Sequence, residues 1–180
     1  MKRLFLIFTI FSISSSSLIY GNEIQSRTEE ILRSHFGKDI NITYKKYDLD
    51  RDVKSSIENQ VEQRFFGDYI YIWQVESNDS LKAIALMDNV YGKTLPITFL
   101  VIFRLDGSIS STHIIKYRED HGGAVSSDNW NEQFNGKNRR SSYTVGEDIQ
   151  GISGATISVR SVTKGIQKLT LLYEEIRQAL

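Results

Sequence analysis

Beyond the first twenty or so residues, the apolar positions of the chain recur first at helical spacing. In "NEIQSRTEEILRSHFG" Ile24, Ile31, Leu32 and Phe36 share one face, and Gly37 ends the run. In "DLDRDVKSSIENQVEQRFFG" Val53, Ile57, Val61 and Phe65 share another, with Asp50 or Asp52 near the start and Gly67 after the end. The period then falls to two. "DYIYIWQV", "LKAIALMDNVYG", "ITFLVIFRL" and "SISSTHIIKY" are rich in β-branched and aromatic residues and read as strands. Short turn signals separate them: "SNDS", the lone Pro96 and "DG" at 106–107. A mostly polar, glycine-bearing stretch follows from Arg118 to Gln150, with one helical turn or two in "WNEQF". From Ser158 onward Val159, Val162, Ile166, Leu169, Tyr173 and Ile176 lie on one face of a long amphipathic helix. Helices and strands are segregated along the chain. This predicts an α+β domain: an antiparallel four-stranded meander packed with N-terminal helices and a long C-terminal helix.

The N-terminus departs from this pattern. Lys2 and Arg3 precede the apolar run "LFLIFTIFSI", and the serines 14–17 lead to small Gly21. That order reads as a signal peptide over residues 1–21, with a retained membrane anchor formed by residues 4–20 as the alternative. The domain proper is then 22–180. The expected location is periplasmic or at the cell surface. Basic and acidic residues balance at 22 each, so nothing provides the basic excess a nucleic-acid partner calls for. The absence of cysteine removes disulfides, Cys-linked lipid and thiolate-held metal from consideration. No cluster of His, Asp and Glu shows metal-ligand spacing either.

The stretch "DIQGISGATIS", residues 148–158, holds the candidate chemistry. Ser158 is the expected N-cap of the last helix, which puts Thr156 just ahead of a helix N-terminus. Free N–H groups and the positive end of the helix dipole stabilise a phosphate there. Gly154 and Ala155 leave room for a ligand to approach the backbone, and Arg160 and Lys164 add positive charge. Small residues before a helix also make ordinary turns, so the pattern alone does not distinguish a site from a bend.

The stretch resembles the flavinylation motif of the FMN-binding domain family, which includes the G subunit of Rnf-type electron-transport complexes and the C subunit of the sodium-translocating NADH:quinone oxidoreductase. The family pattern is an Asp, then Ser/Thr-Gly-Ala-Thr, then Ser or Thr. This chain has Asp148, Ser153, Gly154, Ala155, Thr156 and Ser158 in that order. "VYGKTLPITFLVIFRLDGSISSTHIIKYRED" and "GGAVSSDNWNEQFNGK" are similar to further family segments, so the likeness spans about residues 80–170. The resemblance implies FMN joined to Thr156 by a phosphoester, made from FAD by a separate flavin transferase. It implies electron transfer with a membrane partner, in a protein that is not an enzyme by itself. Tyr117, Trp130, Phe134 and Tyr143 are candidates to contact the flavin ring or, for Trp130 and Phe134 equally, to anchor the long loop in the core. Gly122 and Gly123 allow close approach to the ring or a turn. "REDHGGAV" stands where subunits of the large complexes carry a Glu-Thr-Pro-Gly-type loop, which points to a free-standing carrier.

Two other readings of the stretch stand beside this one. "GISGA" is close to a Gly-x-Ser-x-Gly nucleophile elbow, but Ala155 occupies the last position and no strand precedes it. The other is a secreted module that binds FMN or another phosphate without a covalent bond and without redox turnover; the intact Thr156 with Asp148 upstream stands against it.

Overall fold

The computed structural model describes residues 16–177. The apolar run from Leu4 lies outside the described residues, and the first helix, α1 (Ser16–Phe36), runs through the expected processing point at Gly21. Among the described residues no helix is long and apolar enough to cross a membrane. The chain continues with β1 (Asn41–Asp48), α2 (Arg51–Val61), β2 (Tyr69–Ser77), β3 (Ser80–Tyr91), β4 (Pro96–Arg104) and β5 (Ile109–Lys116). After a 3-10 turn (Gly123–Ser126), the short α3 (Asp128–Asn131) and a second 3-10 turn (Glu132–Phe134), the chain ends in α4 (Thr156–Ile176).

The fold is α+β, but the sheet has five strands rather than four. They lie in the order β1-β2-β3-β4-β5, every neighbouring pair antiparallel. The added strand is "NITYKKYD", an edge strand with no fully buried residue. Its Lys45, Lys46 and Asp48 hide the alternation that places Ile42 against Val75 and Tyr47 against Ile70. Lysines on an edge strand also discourage pairing with another chain.

Both faces of the sheet are covered, which is why β3 and β4 carry nearly unbroken apolar runs instead of strict alternation. On one face Ile72, Leu86, Phe99 and Val101 pack with Val159, Val162, Ile166 and Leu169 of α4 and with Ile57 of α2. On the other, Trp73, Ala85, Leu100 and Ile102 pack with Leu32 of α1. Gly165 lets α4 approach closely. A Cβ there would stand 2.7 Å from Phe99 Cζ and 2.9 Å from Val90 Cγ1. Gly165→Ala therefore loses more through overpacking, ~1–3 kcal/mol, than the ~1 kcal/mol that alanine gains in helix propensity. Urea unfolding at equilibrium should show a lower midpoint for the variant.

Asp50, not Asp52, caps α2, its Oδ1 accepting from the N–H groups of Asp52 (2.9 Å) and Val53 (3.0 Å). The helix stops at Val61, short of Gly67, because Glu62 turns left-handed at φ 52°. The following residues strap across α4 instead: Gln63 Nε2 donates to Ser161 O at 3.0 Å, and Lys168 Nζ to Arg64 O at 2.8 Å. Phe65 keeps its expected place in the core, but from this strap.

The stretch from Arg118 to Gln150 is largely irregular yet firmly held. Trp130 and Phe134 are buried edge to face at 5.2 Å, and Trp130 Nε1 donates to Gln150 O at 2.9 Å. Buried Asn131 donates to Val125 O at 2.7 Å, and Thr112 on β5 donates to its Oδ1 at 3.0 Å.

Candidate functional site

"SGAT" is both a bend and an opening. Ala155 N donates to Ile152 O at 3.0 Å, closing a turn with Ser153 and Gly154 at its centre. Gly154 has φ +77°, the left-handed value that the second central position of a type II turn requires. The turn delivers the chain into α4 with Ala155 as N-cap, three residues earlier than Ser158. No side chain caps this end. The N–H groups of the first turn have no intrahelical partner, and the positive end of a 21-residue helix goes uncovered. Thr156 is the first helical residue and is exposed.

This end opens into a cavity of about 450 Å³. One wall is residues 154–158, a second is residues 119–122 after β5, and Lys93 and Thr94 from the β3–β4 hairpin form a third. The walls meet tightly. Gly122 has φ +85°, and a Cβ on it would stand 2.7 Å from Tyr117 Oη, 3.0 Å from Ser158 Oγ and 3.5 Å from Ala155 Cα. Ala155 is buried against this contact, so the smallness of both residues is a packing requirement.

Ser158 does not cap the helix. It sits buried in the first turn and shares a hydrogen bond with Tyr117 Oη at 2.9 Å. Tyr117 also donates to His121 O, so it fixes the loop that forms the second wall. Glu119 ties that wall to the hairpin. Its Oε1 accepts from Thr94 N (2.6 Å) and Leu95 N (2.8 Å), and its Oε2 from Thr94 Oγ1 (3.1 Å). The N–H groups of Leu95 and Thr94 hold the Glu119 carboxyl below the usual range.

Of the residues singled out in the sequence, Gly122, Gly154, Ala155, Thr156 and Ser158 line the cavity. Tyr117 and Gly123 stand behind its wall; a Cβ on Gly123 would meet the Tyr117 ring at 3.6 Å. Ser153 is exposed on the turn beside it. Asp148 is also exposed and serves the preceding turn, accepting from Thr144 N at 3.2 Å. Its carboxyl is held low first by the Ser142 hydroxyl and then by the Thr144 N–H. Trp130, Phe134 and Tyr143 lie in the core, away from the cavity lining. The positive charge comes from Lys93, whereas Lys164 pairs with Glu62 at 3.3 Å. Lys93, Thr94 and Glu119 were missed by the sequence reading. The signal available was Gly92, the only residue type that lets the Glu119 carboxylate reach the hairpin: a Cβ there would be 2.7 Å from Oε1.

An uncapped helix N-terminus with a hydroxyl on its first residue opens into this cavity, and such a helix end favours a negatively charged group. Residues 92–170, which carry nearly all of this site, match the sequence model of the FMN-binding domain. The G subunit of the Na(+)-translocating ferredoxin:NAD(+) oxidoreductase complex of Acetobacterium woodii is 35% identical over 80 aligned residues, 39% of this chain and 39% of the relative. The similarity therefore spans about two-fifths of that relative's length.

Proposed function

We propose that the chain is an extracytoplasmic flavoprotein electron carrier whose FMN is joined through a phosphoester to Thr156. The observation that carries this reading is Thr156 itself: an exposed hydroxyl on the first residue of an uncapped helix, opening into the cavity of an FMN-binding domain. The residues present suit the group. The N–H groups of the first turn of α4 and the Lys93 ammonium favour the phosphate. Ala155 and Gly122 keep the backbone close, and exposed Ile157 offers apolar surface at the cavity. Thr156 supplies the attachment oxygen. A flavin transferase acting on FAD forms the new phosphorus–oxygen bond, with AMP leaving and the hydroxyl proton released. Asp148, Ser153 and Ser158 shape the segment the transferase reads. The bound flavin supplies the redox chemistry, taking electrons from a donor and passing them on.

The relative is a subunit of an oxidoreductase complex. A membrane-bound redox partner for this chain fits with it, and with the basic, apolar N-terminus that reads as an export signal or anchor. In-gel flavin fluorescence tests the covalent reading. Protein co-expressed with a flavin transferase, denatured and run on a denaturing gel, should fluoresce at its own band. Yellow native protein that loses its flavin on denaturation would instead support the module that binds FMN without a bond.

A further inference from the structure

Glu119 has no part in holding a phosphate, yet it is among the most constrained charged groups at the cavity. Both carboxylate oxygens are engaged, by two backbone N–H groups and one hydroxyl of the opposite loop. The side chain cannot swing into solvent without releasing all three. Gly92 keeps the space for it. Asp120, on the same wall, is exposed and shows no such restraint. A charge held in one place at the wall of a site keeps a fixed direction toward whatever fills that site, whereas a mobile charge averages over its positions.

We propose that Glu119 is a positioning and redox-tuning residue: it fixes the hairpin to the loop after β5 and biases the bound flavin toward its oxidised form. The assignment rests on the reading of the cavity as a flavin site. Each electron taken from a donor adds one negative charge there unless a proton follows, and a fixed carboxylate opposes that charge. The Leu95 and Thr94 N–H groups hold its carboxyl below the usual range.

Glu119→Gln separates the two roles, because the amide oxygen still accepts from Thr94 and Leu95 while the charge is gone. In the flavin-free protein, hydrogen exchange should leave the Thr94 and Leu95 amides as protected in Glu119→Gln as in the wild type, and less protected in Glu119→Ala. In flavin-loaded protein, Glu119→Gln should move the midpoint potential to more positive values. At a fixed ambient potential the reduced-to-oxidised ratio should rise about two- to fivefold. Asp120→Asn should move it less. An unchanged potential in Glu119→Gln, or a larger shift in Asp120→Asn, overturns the tuning role; equal amide protection in Glu119→Ala overturns the positioning role. A wild-type chain that takes up no flavin overturns the reading of the site and this proposal with it.

Discussion

Thr156→Ala should give a folded, soluble protein that stays colourless under conditions that turn the wild type yellow. The substitution removes the attachment oxygen and little else. Thr156 is exposed, and its side chain does not cap the helix. Alanine is at least as good a helix former at that position, so stability should move by no more than about 0.5 kcal/mol. Circular dichroism and urea unfolding should overlay those of the wild type. Flavin absorbance remaining after denaturation and desalting should fall to background. Thr156→Ser keeps a hydroxyl at the same place and tests whether the transferase needs the methyl group as well as the oxygen. If Thr156→Ala retains flavin through denaturation, the attachment point lies elsewhere.

The largest effect on stability is expected far from the phosphate end, at Lys168. Its side chain is fully buried under the strap, and its ammonium lies 2.9 Å from the Asp88 carboxylate, which is 3% exposed. The backbone N–H groups of Asn89 and Phe66 also favour the ionised form of Asp88. Lys168 Nζ sits over the Phe65 ring at 4.5 Å. Burial pushes the Asp88 carboxyl up and the Lys168 ammonium down, and each charge pulls the other back toward the ionised form. Lys168→Met keeps most of the volume but strands a buried carboxylate, at a cost of ~3–5 kcal/mol. At ~2–4 °C per kcal/mol for a domain of this size, the thermal midpoint should fall by roughly 10 °C. Adding Asp88→Asn to Lys168→Met removes the stranded charge and should recover a large part of the loss. Equal instability in the single and double variants would show that the cost lies in the lost hydrogen bond to Arg64 and not in the charge.

The parts legible in the sequence are those set by local rules. The four strands from Tyr69 to Lys116 follow from runs rich in β-branched and aromatic residues cut by short turns, and α4 follows from a face of seven-residue repeats. The turn before α4 was legible because Gly154 adopts a positive φ and Ala155 is buried, and such needs leave a short, recognisable trace. What escaped was decided by tertiary contacts. β1 has polar residues on most positions because it is an edge strand half open to water. The end of α2 is set by the strap across α4, which no local signal at residues 62–66 announces. Ser158 looked like a cap because serine before an apolar run usually is one, but its hydroxyl is drawn inward by Tyr117, a residue 41 positions earlier. Lys93 and Glu119 come from separate turns, and only the folded sheet brings them to one cavity.

The measurement that tests the central claim most directly is the intact mass of the protein after co-expression with a flavin transferase, followed by peptide mapping. The account predicts an added mass of one FMN less one water, carried by the peptide that contains Thr156 and absent from Thr156→Ala. No added mass, with the same transferase shown to modify a known substrate, would contradict covalent attachment and leave the cavity as a site that holds its phosphate ligand by N–H groups alone.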